Sequence, residues 1–303
     1  MMTTFSYLKL TGATPPKSLR LWALPVATLL LVVAHRLWAG SAGVDANMLA
    51  AIAIVLAGIP HGTLDVEIAA AHFGQRDLAG KVAIFAVYAG CAAAMILLWL
   101  LLPELALVSF LVISIVHFSH DWRGGADPFL AMMVGWALVA LPALASPDDV
   151  AAIFAVLTGN QNGTMIAGLL GAASVPAVLG SLVFAYWAYR NDDIKSAFEV
   201  VACIFAAMLL PPLVAFAVFF CGLHSPRHMR DALRETGAMS AAKKGTIIAA
   251  VTTLSLGLGV AMFSYQGEVP TDMGVIRAAF MLISTLTVPH FILEYLMSAK
   301  KDA

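Results

Sequence analysis

Four apolar stretches of this sequence each contain a histidine that is followed four residues later by a second ionisable side chain. The pairs are His61 with Asp65, His117 with Asp121, His224 with His228, and His290 with Glu294. On a helix this spacing places both side chains on one face. A carboxylate one turn away can accept the second N–H of a metal-bound imidazole, and His224 with His228 can chelate one ion directly. The pattern predicts a metal site built between helices.

The composition indicates where these helices lie. Of the 303 residues, 61% are hydrophobic and only 12% are charged, whereas a soluble domain needs about 25% charged residues to cover its surface. Lipid is therefore the expected solvent. The net charge of −1 and the absence of a basic run argue against a nucleic-acid partner. The cysteine count of three is odd, which argues against a disulfide framework.

Apolar stretches of about 20 residues are expected to cross a bilayer as helices, because their backbone polar groups must be satisfied internally. The sequence predicts about ten such spans, with 149–158 as a short interfacial helix and Pro211–Pro212 separating two of the spans. The predicted spans are 20–38, 47–73, 81–102, 104–122, 127–145, 165–189, 196–210, 212–230, 246–264 and 274–297.

Basic residues occur in alternate loops and before the first span, so the positive-inside rule predicts that both termini are cytoplasmic. We therefore predict an all-α, polytopic transmembrane helical bundle. Residues 1–303 form a single integral membrane domain in this interpretation, and 1–19 are a cytoplasmic N-terminal segment. The expected location is the cell inner membrane, as a multi-pass protein.

The histidines of the four pairs lie at matching depths in their spans. Counted from the outer end of each span, His61, His117, His224 and His290 are about 12 to 16 residues in, or roughly 18–24 Å along a helix. Ionisable groups inside a bilayer are costly and for that reason often functional. A single one can be only an interhelical hydrogen-bond partner, but matched depth on four helices favours one metal site. His35 and His72 fall at span ends, and His120 lies nearer the water than His117, so none of these three is predicted to be a ligand.

An imidazole-rich site with few carboxylate ligands suits iron, zinc or copper better than magnesium or calcium. Four neutral imidazoles on octahedral Fe(II) would leave two positions open, whereas zinc with four protein ligands is usually a closed structural site. Burial in an apolar bundle favours an apolar substrate that arrives laterally, and O2 is apolar as well. The residues by themselves therefore favour an oxygen-using iron enzyme that acts on a lipid.

Four segments resemble the Brp/Blh family of β-carotene 15,15′-dioxygenases. Gly58-Ile-Pro-His-Gly-Thr-Leu-Asp65 resembles the family's GxPHGxxD signature, and Ile115-Val-His-Phe resembles its second histidine segment. Cys221-Gly-Leu-His-Ser-Pro-Arg-His228 resembles its HSxRH segment, and Thr287-Val-Pro-His290 its TVPH element. The four occur in the family's order over about 47–297, nearly the whole chain.

The resemblance implies that O2 and ferrous iron cleave the central 15,15′ double bond of β-carotene into two all-trans-retinal molecules. The family's iron ligands correspond to His61, His117, His224 and His228. Four further residues are expected around these ligands or in the cavity wall: Asp65, Asp121, His290 and Glu294. The expected surroundings are the lipid bilayer, with no obligatory protein partner. The chain departs from the family at Ser119 to Trp122, because the family usually has glycine after His-Phe and an acid five, not four, residues past the histidine.

Two other functions stay open. A membrane di-iron desaturase or hydroxylase needs about eight histidines in several boxes, and this chain offers one HxxxH at 224–228 and one HxxH at 117–120. Iron near one per chain, rather than two, would separate these readings. A transporter that uses the histidines as a proton relay would contain no metal when purified. A retinal photoreceptor is disfavoured, because 274–297 has no lysine for a Schiff base.

Overall fold

The computed structural model describes residues 17–38, 45–267 and 269–301, and their regular structure is helical, as predicted. The α-helices are α1 (Lys17–Trp38), α2 (Ala46–His61), α3 (Asp65–Phe73), α4 (Leu78–Leu101), α5 (Pro103–Ser119), α6 (Pro128–Ala145), α7 (Pro147–Thr158), α8 (Asn162–Arg190), α9 (Ile194–Leu209), α10 (Pro212–Phe219), α11 (Ser225–Glu235), α12 (Ala241–Ser264) and α13 (Thr271–Lys301).

Among the described residues, seven helical segments are long and apolar enough to cross a membrane, so the chain is a multi-helix membrane protein. They are Ala46–Phe73, Leu78–Leu101, Pro103–Trp122, Pro128–Ala145, Asn162–Arg190, Ala241–Ser264 and Thr271–Ser298. The other three predicted spans are also helical but shorter: Ala23–His35 is the apolar part of α1, α9 has 16 residues and α10 has 8. The total of ten spans and the cytoplasmic termini stay predictions, and 1–16 lie outside the described residues.

Proline and short polar residues set the helix boundaries. Pro103, Pro128, Pro147 and Pro212 stand in the first turn of their helices, where a missing N–H costs nothing. At the start of α2, the side chain of Asp45 accepts a hydrogen bond of 2.9 Å from the backbone N–H of Met48. The helix ends are thus encoded locally, and the apolar runs between them supply the length.

Three local breaks interrupt the helices where the paired histidines lie. α2 ends at His61, directly after Pro60, and α3 begins at Asp65. His120–Trp122 form a 3₁₀ turn after α5, and Phe220–His224 form a π-helical turn between α10 and α11. Such π-helical turns are frequent at functional sites, because they redirect side chains that a regular helix would place elsewhere.

The last helix, α13, lies in the middle of the bundle and packs against α2, α4, α5 and α12. Trp99 of α4 donates a buried hydrogen bond of 2.6 Å from its indole N–H to the hydroxyl of Ser284 in α13. The side-chain carbonyl of Asn47 in α2 accepts a bond of 3.0 Å from the backbone N–H of Leu213 at the start of α10. These polar ties hold helices of distant sequence together in an apolar interior.

The backbone contact between α5 and α6 depends on Gly135. A Cβ at this position would lie 2.3 Å from the carbonyl oxygen of Ile115 and 2.9 Å from the backbone N of Ser119. Gly135→Ala must push the two backbones apart, and we expect a loss of about 1–3 kcal/mol in the free energy of unfolding. Gly90→Ala in α4 is the matched control, since its Cβ would meet no atom within 4 Å. Thermal unfolding in detergent measures both variants, and a wild-type midpoint for Gly135→Ala would contradict this close packing.

Candidate metal centre

Five histidines from α2, α5, the π-helical turn, α11 and α13 converge in the interior. In eight of the ten pairs of these rings, the centroids lie between 4.3 Å (His224 and His228) and 5.8 Å (His228 and His290) apart. His117, His224 and His290 are buried, and His61 and His228 are half-buried. The structure therefore brings together the four predicted ligands. The ring of His290 lies among them, 5.2 Å by centroids from the rings of His61 and His117.

His117 is the member that links the groups within this cluster. Its ligand atom and those of His61 and His290 lie within 4.8 Å of one another. The same limit holds for His117 with His224 and His228. Because the two groups share the His117 imidazole, the five histidines form one continuous set of candidate donors.

Three carboxylates contact these rings, and each of the closest contacts is to Nδ1. Oδ2 of Asp121 lies 2.7 Å from Nδ1 of His224, and Oδ2 of Asp65 lies 2.8 Å from Nδ1 of His290. The two oxygens of Glu294 lie 3.2 Å from Nδ1 of His117 and 3.3 Å from Nδ1 of His228. Asp65 and Asp121 thus contact histidines of other helices, whereas the one-turn spacing pointed to His61 and His117.

Several ring nitrogens on the inner side of the cluster are buried and have no hydrogen-bond partner. They include Nδ1 of His61, Nε2 of His224 and Nε2 of His290. A buried polar atom that is left unsatisfied costs about 1–3 kcal/mol, so several at one place indicate a missing ligand. A carboxylate on Nδ1 holds the proton there and leaves Nε2 with its lone pair, which is the usual arrangement behind a metal-bound imidazole. The residues fit a metal ion that prefers nitrogen donors.

A chain of charged groups runs outward from His224. The guanidinium of Arg227 lies 3.6 Å from Oδ1 of Asp121 and 2.6 Å from Oε2 of Glu199. Lys195, nearer the surface, contacts the other oxygen of Glu199 at 3.1 Å. Asp121, which lies in the segment Ser119 to Trp122 that departs from the family pattern, is therefore the partner of His224. The alternating charges of Arg227, Glu199 and Lys195 hold Asp121 in place. Glu199 was not predicted, although an acidic residue within the apolar stretch 196–210 was a usable signal.

Glycine in the first motif makes room for the cluster. A Cβ at Gly62 would lie 3.2 Å from the Asp65 carboxylate and 3.7 Å from the His290 ring. Gly58 lies one turn earlier, in α2, and a Cβ there would lie 2.9 Å from the ring of Phe220. A larger side chain at either position would require its neighbours to shift where α2 approaches α13 and the π-helical turn.

One apolar cavity and one polar cavity have histidines of the cluster in their walls, and a second apolar cavity lies next to the first. A lateral cavity of about 320 Å³ lies between α2, α4, α12 and α13, and its lining includes His61, Phe220 and His290. An inner apolar cavity of about 90 Å³ is lined by Phe118 and Phe216 among others, and Ile283 lines both apolar cavities. The polar cavity of about 340 Å³ has His228 and Glu294 in its wall. The cluster thus lies between an apolar route and a polar one.

The remaining histidines of the described residues lie outside the cluster. His120 is 6.4 Å from His117 by ring centroids and lines the polar cavity, as does His72. One ligand atom each of His120, His117 and Glu294 lies within 4.8 Å of the other two. His35 is half-exposed on α1.

The family model described as β-carotene 15,15′-dioxygenase matches residues 52–298. The curated protein named β-carotene 15,15′-dioxygenase from uncultured marine bacterium 66A03 is 30% identical over 249 residues, which are 79% of this chain and 90% of that protein. No solved structure matches the chain significantly.

Proposed function

This chain belongs to the β-carotene 15,15′-dioxygenase family, and we propose that it uses O2 to cleave the central 15,15′ double bond of β-carotene into two all-trans-retinal molecules. The proposed cofactor is ferrous iron, and its proposed ligands are His61, His117, His224 and His228. The observation that carries the proposal is the convergence of buried imidazoles, with unpartnered ring nitrogens, beside an apolar cavity.

The donor set is compatible with iron. Imidazole nitrogens suit iron, zinc and copper, and carboxylates on Nδ1 strengthen the donor character of Nε2. Iron, when bound, would supply the oxygen chemistry, which protein side chains cannot perform. The protein's own groups hold and orient the imidazoles: Asp121 positions His224, and Glu294 contacts both His117 and His228.

The apolar cavities support a hydrocarbon substrate. Phe85 of α4 and Val251 of α12 line the lateral cavity, and both helices expose apolar side chains where the bilayer would lie. A polyene can reach the cluster through this wall without crossing water. Burial of hydrocarbon gains roughly 25 cal/mol per Å² of apolar surface removed from water, so apolar walls also keep water out of the site.

The proposed location is the cell inner membrane, where β-carotene and O2 both dissolve in the lipid. The product is apolar too and can leave by the same lateral route. The proposal assigns every group that it uses to this chain and assumes no obligatory protein partner.

Expression in bacterial cells that accumulate β-carotene tests the proposed activity. We expect the cells to lose colour and to form two retinal molecules for each β-carotene consumed, measured by chromatography of the extracted pigments. Cells with an empty vector are the control. Retained β-carotene in cells whose membranes contain the folded protein would contradict the activity. Iron near one per purified chain separates this proposal from a di-iron enzyme, and protein that binds no metal would favour a proton-relay transporter.

A bulky residue in the cavity wall is expected to affect the substrate rather than the metal. Ile283 lines both apolar cavities, so Ile283→Trp should obstruct the polyene while leaving the histidines in place. A loss of about 1 kcal/mol in substrate complementarity corresponds to roughly a fivefold lower kcat/KM, with unchanged iron content. Leu254→Trp, on an exposed position of α12, is the matched control. Equal kcat/KM values for the two variants would argue that the substrate binds elsewhere.

A further inference from the structure

We propose that His290 is a fifth imidazole ligand of the metal, bound through Nε2, and that Asp65 is the residue that positions it. This inference rests on the proposed iron centre. The resemblance to the family placed His290 only around the ligands or in the cavity wall, so the assignment comes from the geometry.

The first observation is the environment of Nδ1. His290 and Asp65 are each 6% exposed, and their Nδ1–Oδ2 distance of 2.8 Å matches the 2.7 Å between His224 and Asp121. An ionised carboxylate is an acceptor only, so it requires the proton on Nδ1. His290 therefore has the same tautomer as the predicted ligand His224, with the lone pair on Nε2.

The second observation is that Nε2 of His290 is buried without a hydrogen-bond partner. Oε1 of Glu294 lies 3.6 Å from this nitrogen, which is too long for a hydrogen bond. A helix-to-helix tie between α3 and α13 would explain the Nδ1 contact with Asp65. It would leave Nε2 unexplained, whereas a metal ion satisfies it.

The third observation is where this nitrogen lies. The ligand atoms of His290, His61 and His117 are within 4.8 Å of one another, and the ring of His290 is 5.2 Å from each of the other two rings by centroids. An ion held by His61 and His117 is therefore within reach of His290. The resemblance assigns both of those histidines as ligands.

The backbone is shaped to admit the Asp65–His290 pair. Gly62 follows the helix end at His61, and a Cβ there would lie 3.2 Å from the carboxylate of Asp65. Pro289 stands directly before His290 inside α13, as Pro60 stands before His61 in α2. Each proline removes one helical hydrogen bond and favours a bend. His61 and His290 thus each follow a proline inside a helix.

A fifth imidazole changes what the centre can accept. An octahedral ion has six positions, so four imidazoles leave two and five leave one. A centre held by five imidazoles would therefore have fewer open positions for a small ligand, and the hydrocarbon would bind in the lateral cavity. His290 and His61 both line that cavity, so both imidazoles would border the substrate.

Metal titration of the full-length protein in detergent tests whether His290 is a ligand without relying on the cleavage activity. Chelator-stripped wild-type, His290→Ala and His290→Gln proteins are titrated anaerobically with Fe²⁺ and with Co²⁺ against a competing chelator. We expect both variants to bind at least about tenfold more weakly, and added imidazole to restore the affinity of His290→Ala. The visible absorption of bound Co²⁺ should intensify in both variants, because its intensity rises as the coordination number falls. Asp65→Asn should show a smaller loss of affinity, and His72→Ala is the control histidine substitution.

Wild-type affinity and an unchanged Co²⁺ spectrum in folded His290→Gln protein would overturn this inference and leave the iron centre standing. A merely structural role for His290 would change the thermal unfolding midpoint without changing the Co²⁺ spectrum, and that result also overturns it. Wild-type protein that binds neither ion would overturn the iron centre and the fifth ligand together. His290→Gln keeps most of the side-chain volume, so the test does not depend on the folding of His290→Ala.

Discussion

Replacing His117 with alanine is expected to remove iron from the protein and to abolish the cleavage of β-carotene. His117 is 1% exposed, and it belongs both to the group with His61 and His290 and to the group with His224 and His228. Its replacement therefore removes one donor from each group. A bound metal contributes several kcal/mol to the lowering of the barrier, and the rate is therefore expected to fall by at least about a thousandfold. Iron content by elemental analysis and retinal formation by chromatography measure the two effects.

His35→Ala is the matched control for this substitution, because His35 lies half-exposed on α1, outside the cluster. It should retain iron and activity. The thermal unfolding midpoint of His117→Ala should stay near that of the metal-free wild-type protein, which separates loss of metal from loss of fold. Wild-type iron content and activity in His117→Ala would refute the assignment of His117 as an iron ligand.

Asp121→Asn is expected to weaken metal binding or activity by roughly ten- to hundredfold, the usual cost of removing a group that orients a metal-bound histidine. The carboxylate of Asp121 lies 2.7 Å from Nδ1 of His224, and its side chain is 2% exposed. Asparagine has the same shape, but it loses the charge that holds the proton on Nδ1 and that faces Arg227. The imidazole of His224 is then free to turn its lone pair away from the metal.

The measurement is a competition titration of Fe²⁺ against a chelator, together with kcat/KM for β-carotene. Asp231→Asn is the matched control, since Asp231 is exposed and contacts only surface arginines among its recorded ion pairs. Glu199→Gln should weaken metal binding in the same direction but less, because Glu199 acts on Asp121 through Arg227. Equal metal affinities for Asp121→Asn and Asp231→Asn would show that the carboxylate does not orient His224.

Local rules were sufficient for the helices. The short interfacial helix predicted at 149–158 is α7, Pro147–Thr158, and the break predicted at Pro211–Pro212 separates α9, which ends at Leu209, from α10. Both follow from properties of single residues: proline cannot donate a helical hydrogen bond, and it is favoured at a helix start. An apolar run of the right length completes the prediction, because in lipid the backbone has no other way to satisfy its polar groups.

The sequence by itself therefore determined the all-helical class, the apolar helices long enough to cross a membrane and the list of candidate site residues. Only the tertiary structure decided which carboxylate contacts which histidine. The one-turn rule assumes a continuous α-helix, but α2 ends at His61 before α3 begins at Asp65, and Asp121 lies in a 3₁₀ turn beyond α5. The rotation per residue differs in these breaks, so Asp65 and Asp121 turn toward His290 and His224 instead.

Tertiary packing also determines which rings His290 contacts. Its spacing to Glu294 and its depth in 274–297 identified it as a candidate, but neither property can state which rings it meets. That depends on α13 packing against α2 and α5 in the middle of the bundle, a contact between segments more than 150 residues apart in the chain. Helix periodicity specifies a face, whereas packing specifies the neighbour that the face contacts.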